Sequence, residues 1–165
     1  MKGGGAGRGL WLEAAGATLD ISLFGACATH SMRLEKGYRG WGADLTTKRS
    51  PREAGLSFLV KHEGRDFVGK DAMLARSTHW DMVLLELDTM ETDPFYSHTV
   101  LHRGDPVGIV TSGGFGHRTG KTLALAYLRD PTARNNLEGK ILGTLRTARI
   151  LDHPPFDPGN ARLTS

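Results

Sequence analysis

Leu19, Ile21 and Leu23 alternate with polar or small neighbours over Thr18 to Phe24, and this period of two predicts a strand. Ahead of it, Leu10 to Ala15 reads as the last turns of a helix stopped by Gly16. Residues 1–9 are Gly-rich and are expected to be a flexible tail. Behind the strand, Gly25 opens a helix over Ala26 to Lys36, with Gly37 as its stop. Ala26, Cys27 and Ala28 are small enough to let that helix lie close on a sheet. Tyr38 to Arg49 is a loop rich in Gly and charge. Ser50-Pro51-Arg52-Glu53 has the form of a capping box with Pro at the first helical position, so a short helix is expected up to Gly55. Leu56 to Lys61 is strand-like, His62 to Asp66 is a turn, and Gly69 to Arg76 is a short helix.

From a boundary at Ser77 to Trp80 the pattern changes to short strands at turn-sized spacing. They are predicted over Met82–Asp88, Thr99–His102, Val107–Ser112, Thr122–Leu128, Lys140–Leu142 and Leu145–Leu151, with Gly104-Asp105 marking a hairpin. Such spacing suggests a small barrel or a two-sheet sandwich. The tail from His153 to Asn160, punctuated by Pro154, Pro155 and Pro158, is expected to be extended.

A chain of 165 residues is one domain, or two small modules sharing an interface. The net charge of +3 is not gathered into a run of Lys and Arg, which argues against a nucleic-acid stripe and leaves room for a basic pocket. The single Cys27 cannot form an internal disulfide and reads as an inert thiol in a small-residue helix. No window approaches the ~18 apolar residues of a membrane span. The first residues have no apolar core of a secretory signal, so a cytoplasmic protein is expected by elimination.

Phe115 to Thr122, FGHRTGKT, nearly spells a phosphate loop, but Phe stands where the first Gly is required and a β-like run follows the Lys. It reads as a Gly-rich loop between barrel strands. His98 and His102 would share a face on a helix, but on the predicted strand they lie ~13 Å apart, and no metal site is expected. Arg103-Gly104-Asp105 reads as a hairpin turn. Arg33 and Glu35 fit either a substrate clamp or a buried structural ion pair. Tyr38, Trp41 and Phe58, beside Gly and Arg, could make a wall on which a flat heteroaromatic ring stacks, or could cover the junction between the two halves.

The segments RLEKGYRGWGADLT, SPREAGLSFLVK and GRDFVGKDAML, followed by GDPVGIVTSGGFGHRTGKTLALAYL and PPFDPGNAR, resemble the folate-binding family of the glycine-cleavage T-protein, an aminomethyltransferase. The resemblance runs from Leu10 to the end and is strongest to the form fused to FAD-dependent dimethylglycine and sarcosine dehydrogenases. It implies an α+β fold, with a partial folate-binding α/β subdomain over residues 10–77 and a small Greek-key-like β-barrel over residues 78–165. It implies tetrahydrofolate as cofactor, with FAD only in a partner or in a domain this chain lacks. Tyr38, Trp41, Phe58 and Arg162 are the folate-contacting positions it implies. Family members carry Arg-Asp where this chain has Thr29-His30, which puts lipoyl-borne aminomethyl chemistry in doubt, and their catalytic Asp belongs to a subdomain absent here. The chain is therefore expected to be the C-terminal, folate-handling part of a larger dehydrogenase-like enzyme. It would take folate and a small amine as ligands, have little transferase activity alone, and meet a partner chain or its own copies. A non-catalytic interaction module and a stand-alone transferase are the alternatives.

Overall fold

The structure, a computed structural model, describes residues 4–61, 63–64, 66–130 and 132–164. Its second half is a closed barrel of six strands: β1 (Asp81–Leu87), β2 (Thr99–His102), β3 (Asp105–Gly116), β4 (Lys121–Leu128), β5 (Leu137–Ile141) and β6 (Thr144–Leu151). Their order around the barrel is β1-β4-β3-β2-β5-β6, with every pairing antiparallel. The β1–β2 and β4–β5 connections each pass two strands, a Greek-key arrangement. The β2–β3 hairpin turns on Arg103 and Gly104, with φ of 54° and 90°. Both central residues are left-handed, as a turn that matches strand twist requires.

Strand β4 explains why TLALAYL is apolar almost throughout. Ala124, Ala126 and Leu128 join Leu85 and Val100 in the barrel interior, while Leu123, Leu125 and Tyr127 pack outside against Leu34. Leu34 belongs to α2 (Ala26–Glu35), which lies across β3 and β4. The expectation that small residues on α2 permit this approach is reversed: Ala26, Cys27 and Ala28 are exposed. The room comes from β3. A Cβ at Gly114 would touch Leu34 and His30 at 3.6 and 3.7 Å, and one at Gly116 would stand 2.8 Å from Glu35 Cγ.

The remaining elements are α1 (Gly4–Gly16), a 3-10 turn at Ser57–Leu59, α3 (Lys70–Ala75) and α4 (Ala161–Thr164). Gly4–Gly9 lie inside α1 rather than in the expected tail, since each residue added to a formed helix gains a hydrogen bond; residues 1–3 lie outside the described residues. Two expected strands do not form. Thr18–Phe24 is irregular, with Leu19, Ile21 and Leu23 exposed, because no described strand stands beside it to complete a ladder. Leu56–Lys61 instead closes short-range bonds from Leu59 N to Leu56 O and from Val60 N to Ser57 O. The capping box forms in both directions: Glu53 N donates to Ser50 Oγ and Ser50 N donates to Glu53 Oε2. The short helix expected behind it does not form: residues 51–55 make a hydrogen-bonded turn closed by Leu56 N on the Pro51 carbonyl. Of the turn expected at His62 to Asp66, His62 and Arg65 lie outside the described residues. Among the described residues no helix is long and apolar enough to cross a membrane.

Candidate functional site

The arrangement beside the barrel is built on Asp44. Its side chain is fully buried, and its carboxylate accepts from Arg33 Nη1 and Gly40 N, both at 2.8 Å, from Thr111 Oγ1 at 2.5 Å and from Ser112 Oγ at 2.7 Å. Successive strand residues ordinarily point to opposite faces. Here the β3 register shifts between Val110 and Ser112, and that bulge lets both Thr111 and Ser112 reach one carboxylate. The Tyr127 hydroxyl donates to the Asp44 carbonyl at 3.0 Å. Burial pushes the Tyr127 phenol up to about 12, with Asp44 and Glu53 adding to the effect and Arg49 opposing it.

Arg33 extends the network. Its Nη1 also donates to the Tyr38 carbonyl at 2.8 Å, and its Nη2 donates to Ser112 Oγ at 2.7 Å and to His30 Nδ1 at 3.1 Å. The other His30 nitrogen, Nε2, lies 3.1 Å from the Gly113 carbonyl. A guanidinium only donates and a carbonyl only accepts, so these partners assign the His30 proton to Nε2. Arg33 and Glu35 do not pair. Two residues apart on a helix they face different ways, and Glu35 instead accepts from Arg118 N, Thr119 N and Thr119 Oγ1 at 2.9, 2.7 and 3.0 Å.

Above this network lies an open cavity of about 550 Å³. Its walls are the start of α2, the Asp93–Tyr96 loop and the bulged half of β3. Phe95, Tyr96 and Phe115 supply aromatic surface, and His30, His117 and Asp93 also line the space. The His117 ring stands edge-on to Phe115 at 5.1 Å. Ser31, also on the wall, donates to the Phe115 carbonyl at 2.7 Å and so ties α2 to β3. An open, aromatic-walled space with a few convergent polar groups suits a flat heteroaromatic ligand.

The residues singled out from sequence lie elsewhere. Tyr38, Trp41 and Phe58 are exposed at 47%, 77% and 75%, and none of them lines this cavity. Tyr38 follows α2, with Lys36 Nζ 5.8 Å from its ring centroid. Trp41 belongs to the loop whose Ala43 does line the cavity. Phe58 sits in the 3-10 turn, and the Arg162 guanidinium on α4 lies 5.5 Å from the Phe156 ring. Phe95, Tyr96, Phe115 and His30 were missed. The available signal was Gly113-Gly114 inside a strand, which marks a close approach of other backbone or ligand. His98 is used locally, its Nδ1 accepting from Phe95 N at 2.9 Å. Among the described residues no group of three or more His, Cys, Asp or Glu could hold a metal ion.

Two family models match the chain. Residues 6–64 match the GCVT N-terminal domain, and residues 81–157 match the glycine cleavage T-protein C-terminal barrel domain. The chain is 33% identical over 160 residues to mitochondrial dimethylglycine dehydrogenase of Mus musculus, covering 92% of this chain and 18% of that protein. To mitochondrial sarcosine dehydrogenase of the same species it is 35% identical over 162 residues, with 91% of this chain and 18% of the relative covered. An aminomethyltransferase of Synechococcus is 33% identical over 155 residues, 90% of this chain and 42% of the relative. Among solved structures, the glycine cleavage system aminomethyltransferase T of Bartonella henselae superposes with a TM-score of 0.77 at 25% identity, over 93% of this chain and 45% of that one.

Proposed function

The chain belongs to the glycine-cleavage T-protein family, and from that premise we propose that it is the folate-handling, one-carbon-transfer portion of a dimethylglycine- or sarcosine-dehydrogenase-like protein. The observation that carries the reading is the aromatic-walled cavity where the α2 segment meets the barrel. The pyrimidinone ring of a reduced pteridine is flat and carries N–H donors along one edge. Phe95, Tyr96 and Phe115 fit its faces, and Asp93 supplies an acceptor for that edge. When bound, a reduced folate supplies a nucleophilic nitrogen that takes up the one-carbon unit. The chain's own residues hold the ring, keep water from its faces and fix its orientation against the Asp44-braced wall.

One side of the cavity is open, and the chain spans 18% of the dehydrogenase relatives and 42% of an aminomethyltransferase. Capture of an iminium needs a closed, preorganised site that excludes water. We therefore assign the remaining wall, and any flavin, to another part of the protein or to a partner chain. Tyr38, Trp41 and Phe58 are assigned to the rim such a part would cover, and Arg162 to the tail side. Exposed Trp11, Leu19, Leu23 and Phe24 favour the same covering surface.

Titration with 5-formyltetrahydrofolate, followed by tryptophan fluorescence, tests the reading. Saturable binding that weakens at least roughly tenfold in Phe115→Ala and Tyr96→Ala is expected, since aromatic walls carry most of the ring's buried area. Absence of saturation, or equal affinity in both variants with intact circular dichroism, would overturn it. The purified chain alone is expected to show no methylene transfer to tetrahydrofolate; measurable turnover would refute the open-site argument.

A further inference from the structure

A separate cavity of about 290 Å³ lies where β1 and β6 diverge. Their ladder ends at the Leu84–Leu151 pair, so Asp81–Val83 run on without β6, while β4 still pairs with all of β1. Arg39 from the loop after α2 and Pro154 from the tail line the gap. Gly37 lets loop and tail meet there: its φ is 63°, and a Cβ would stand 3.3 Å from Pro154 Cγ. No residue lines both this gap and the aromatic cavity.

The fold leaves Arg39 largely unmet. Its Nη1 donates to the Gly37 carbonyl at 3.0 Å, whereas Nε is buried without a hydrogen-bond partner. Nη2 makes no hydrogen bond among the described residues. Nor does any carboxylate of the described residues lie within 4.0 Å of this half-buried guanidinium. Asp81, on the same lining, is held by Arg134 Nη2 at 2.6 Å, and Asp152 is exposed to water. Buried polar groups are nearly always hydrogen-bonded, and a charge withdrawn from water without a partner is costly. A guanidinium with one carbonyl for a partner, on the wall of an open space, is the receiving half of an ion pair.

We propose that this gap binds a small monocarboxylate and that Arg39 is its anchor. A carboxylate only accepts and a guanidinium only donates, and both are planar, so they meet through paired bonds. Nη2 is the donor first reached, and a slight turn of the guanidinium brings the Nε–H onto the second oxygen. The apolar end of the acid lies against Leu84, Ile150 and Pro154. Asp81 and Asp152 on the lining oppose a second negative charge, which favours a carboxylate over a phosphate. The site is independent of the folate reading and stands whether or not the aromatic cavity takes a pteridine.

The test is a nuclear magnetic resonance titration of the whole ¹⁵N-labelled chain at fixed ionic strength, following the arginine Nε–H signals. Sodium acetate is the probe, with sodium phosphate and sodium chloride beside it. Acetate is expected to move the Arg39 signal saturably in the millimolar range, and phosphate to need at least roughly fivefold more. Chloride should not saturate, and the Arg33 signal, already paired with Asp44, should stay in place. Arg39→Lys keeps the charge and loses the fork, so it should weaken acetate roughly tenfold, read at the backbone amides of Gly37 and Leu84. Absence of saturation with acetate, the same shift with chloride, or tighter binding of phosphate would each overturn the proposal. So would unchanged acetate affinity in Arg39→Lys. Should that variant fail to fold, the three-anion titration of the wild type decides by itself.

Discussion

Asp44 joins both halves of the chain, because groups from α2, the loop after it and β3 all donate to its carboxylate. Asp44→Ala would leave Arg33, 18% exposed, without its counter-charge. Breaking a buried pair from one side costs roughly 3–5 kcal/mol. Ser112→Ala, which removes one hydroxyl and its bonds, should cost about 1 kcal/mol. Urea midpoints of the two variants check the ordering, and equal losses would mean that Asp44 is not the hub. Tyr127 gives a second check. A phenol raised to about 12 contributes stability that is complete below pH ~10 and is lost as pH rises toward 12. Absorbance titration should show one of the three tyrosines lagging the others, and Tyr127→Phe should remove that step.

Glu53 and Glu86 carry the acid side of the stability curve. Burial opposes the Glu53 charge, but the backbone N–H and hydroxyl of Ser50, the backbone of His79 and the Arg76 guanidinium outweigh it and hold the carboxyl below its usual range. Burial likewise opposes the Glu86 charge and is outweighed by Lys121 and Arg149, at 2.9 and 2.8 Å. A depressed carboxyl stabilises the fold above its unfolded value of about 4.3 and loses that contribution as pH falls through the folded value. Glu53→Gln should therefore flatten the drop in thermal midpoint on acidification while lowering the midpoint at neutral pH.

The close contact of α2, β3 and the Asp93–Tyr96 loop is set by glycines. A Cβ at Gly113 would overlap the carbonyl and ring of Pro94. Strand backbone cannot yield without breaking its ladder to β4, so Gly113→Ala should push the Pro94 loop outward and carry Phe95 and Tyr96 with it. The expected result is a folded barrel with weakened ring binding, read by tetrahydropterin titration beside near-ultraviolet circular dichroism. Wild-type affinity in that variant would separate the loop from the cavity. The capping box needed no such context. Ser50 and Glu53 are three residues apart, and their reciprocal bonds follow from that spacing alone.

Over the whole chain, apolar exposure is uneven. The barrel buries its aliphatic side chains, whereas Trp11, Leu12, Leu19, Leu23 and Phe24 are all more than 65% exposed. Apolar surface gathered in one stretch favours association. Sedimentation velocity should show concentration-dependent association, and Leu23→Asp with Phe24→Asp should shift the chain toward monomer. A monomer at all concentrations would refute self-association through this stretch.

The barrel strands, the α2 boundaries and the capping box were legible in the residues, because alternation, glycine stops and short hydrogen-bonded spacings act over a few positions. The 18–24 and 56–61 segments were misread because a strand exists only where another strand completes its ladder, and alternation says nothing about a neighbour. The cavity was hidden for a related reason. Its aromatic residues come from the 93–96 loop and from the end of β3, and its polar floor depends on a bulge that turns two successive hydroxyls toward Asp44. Local patterns can name a helix or a hairpin, but which side chains share a space is set by how distant segments pack.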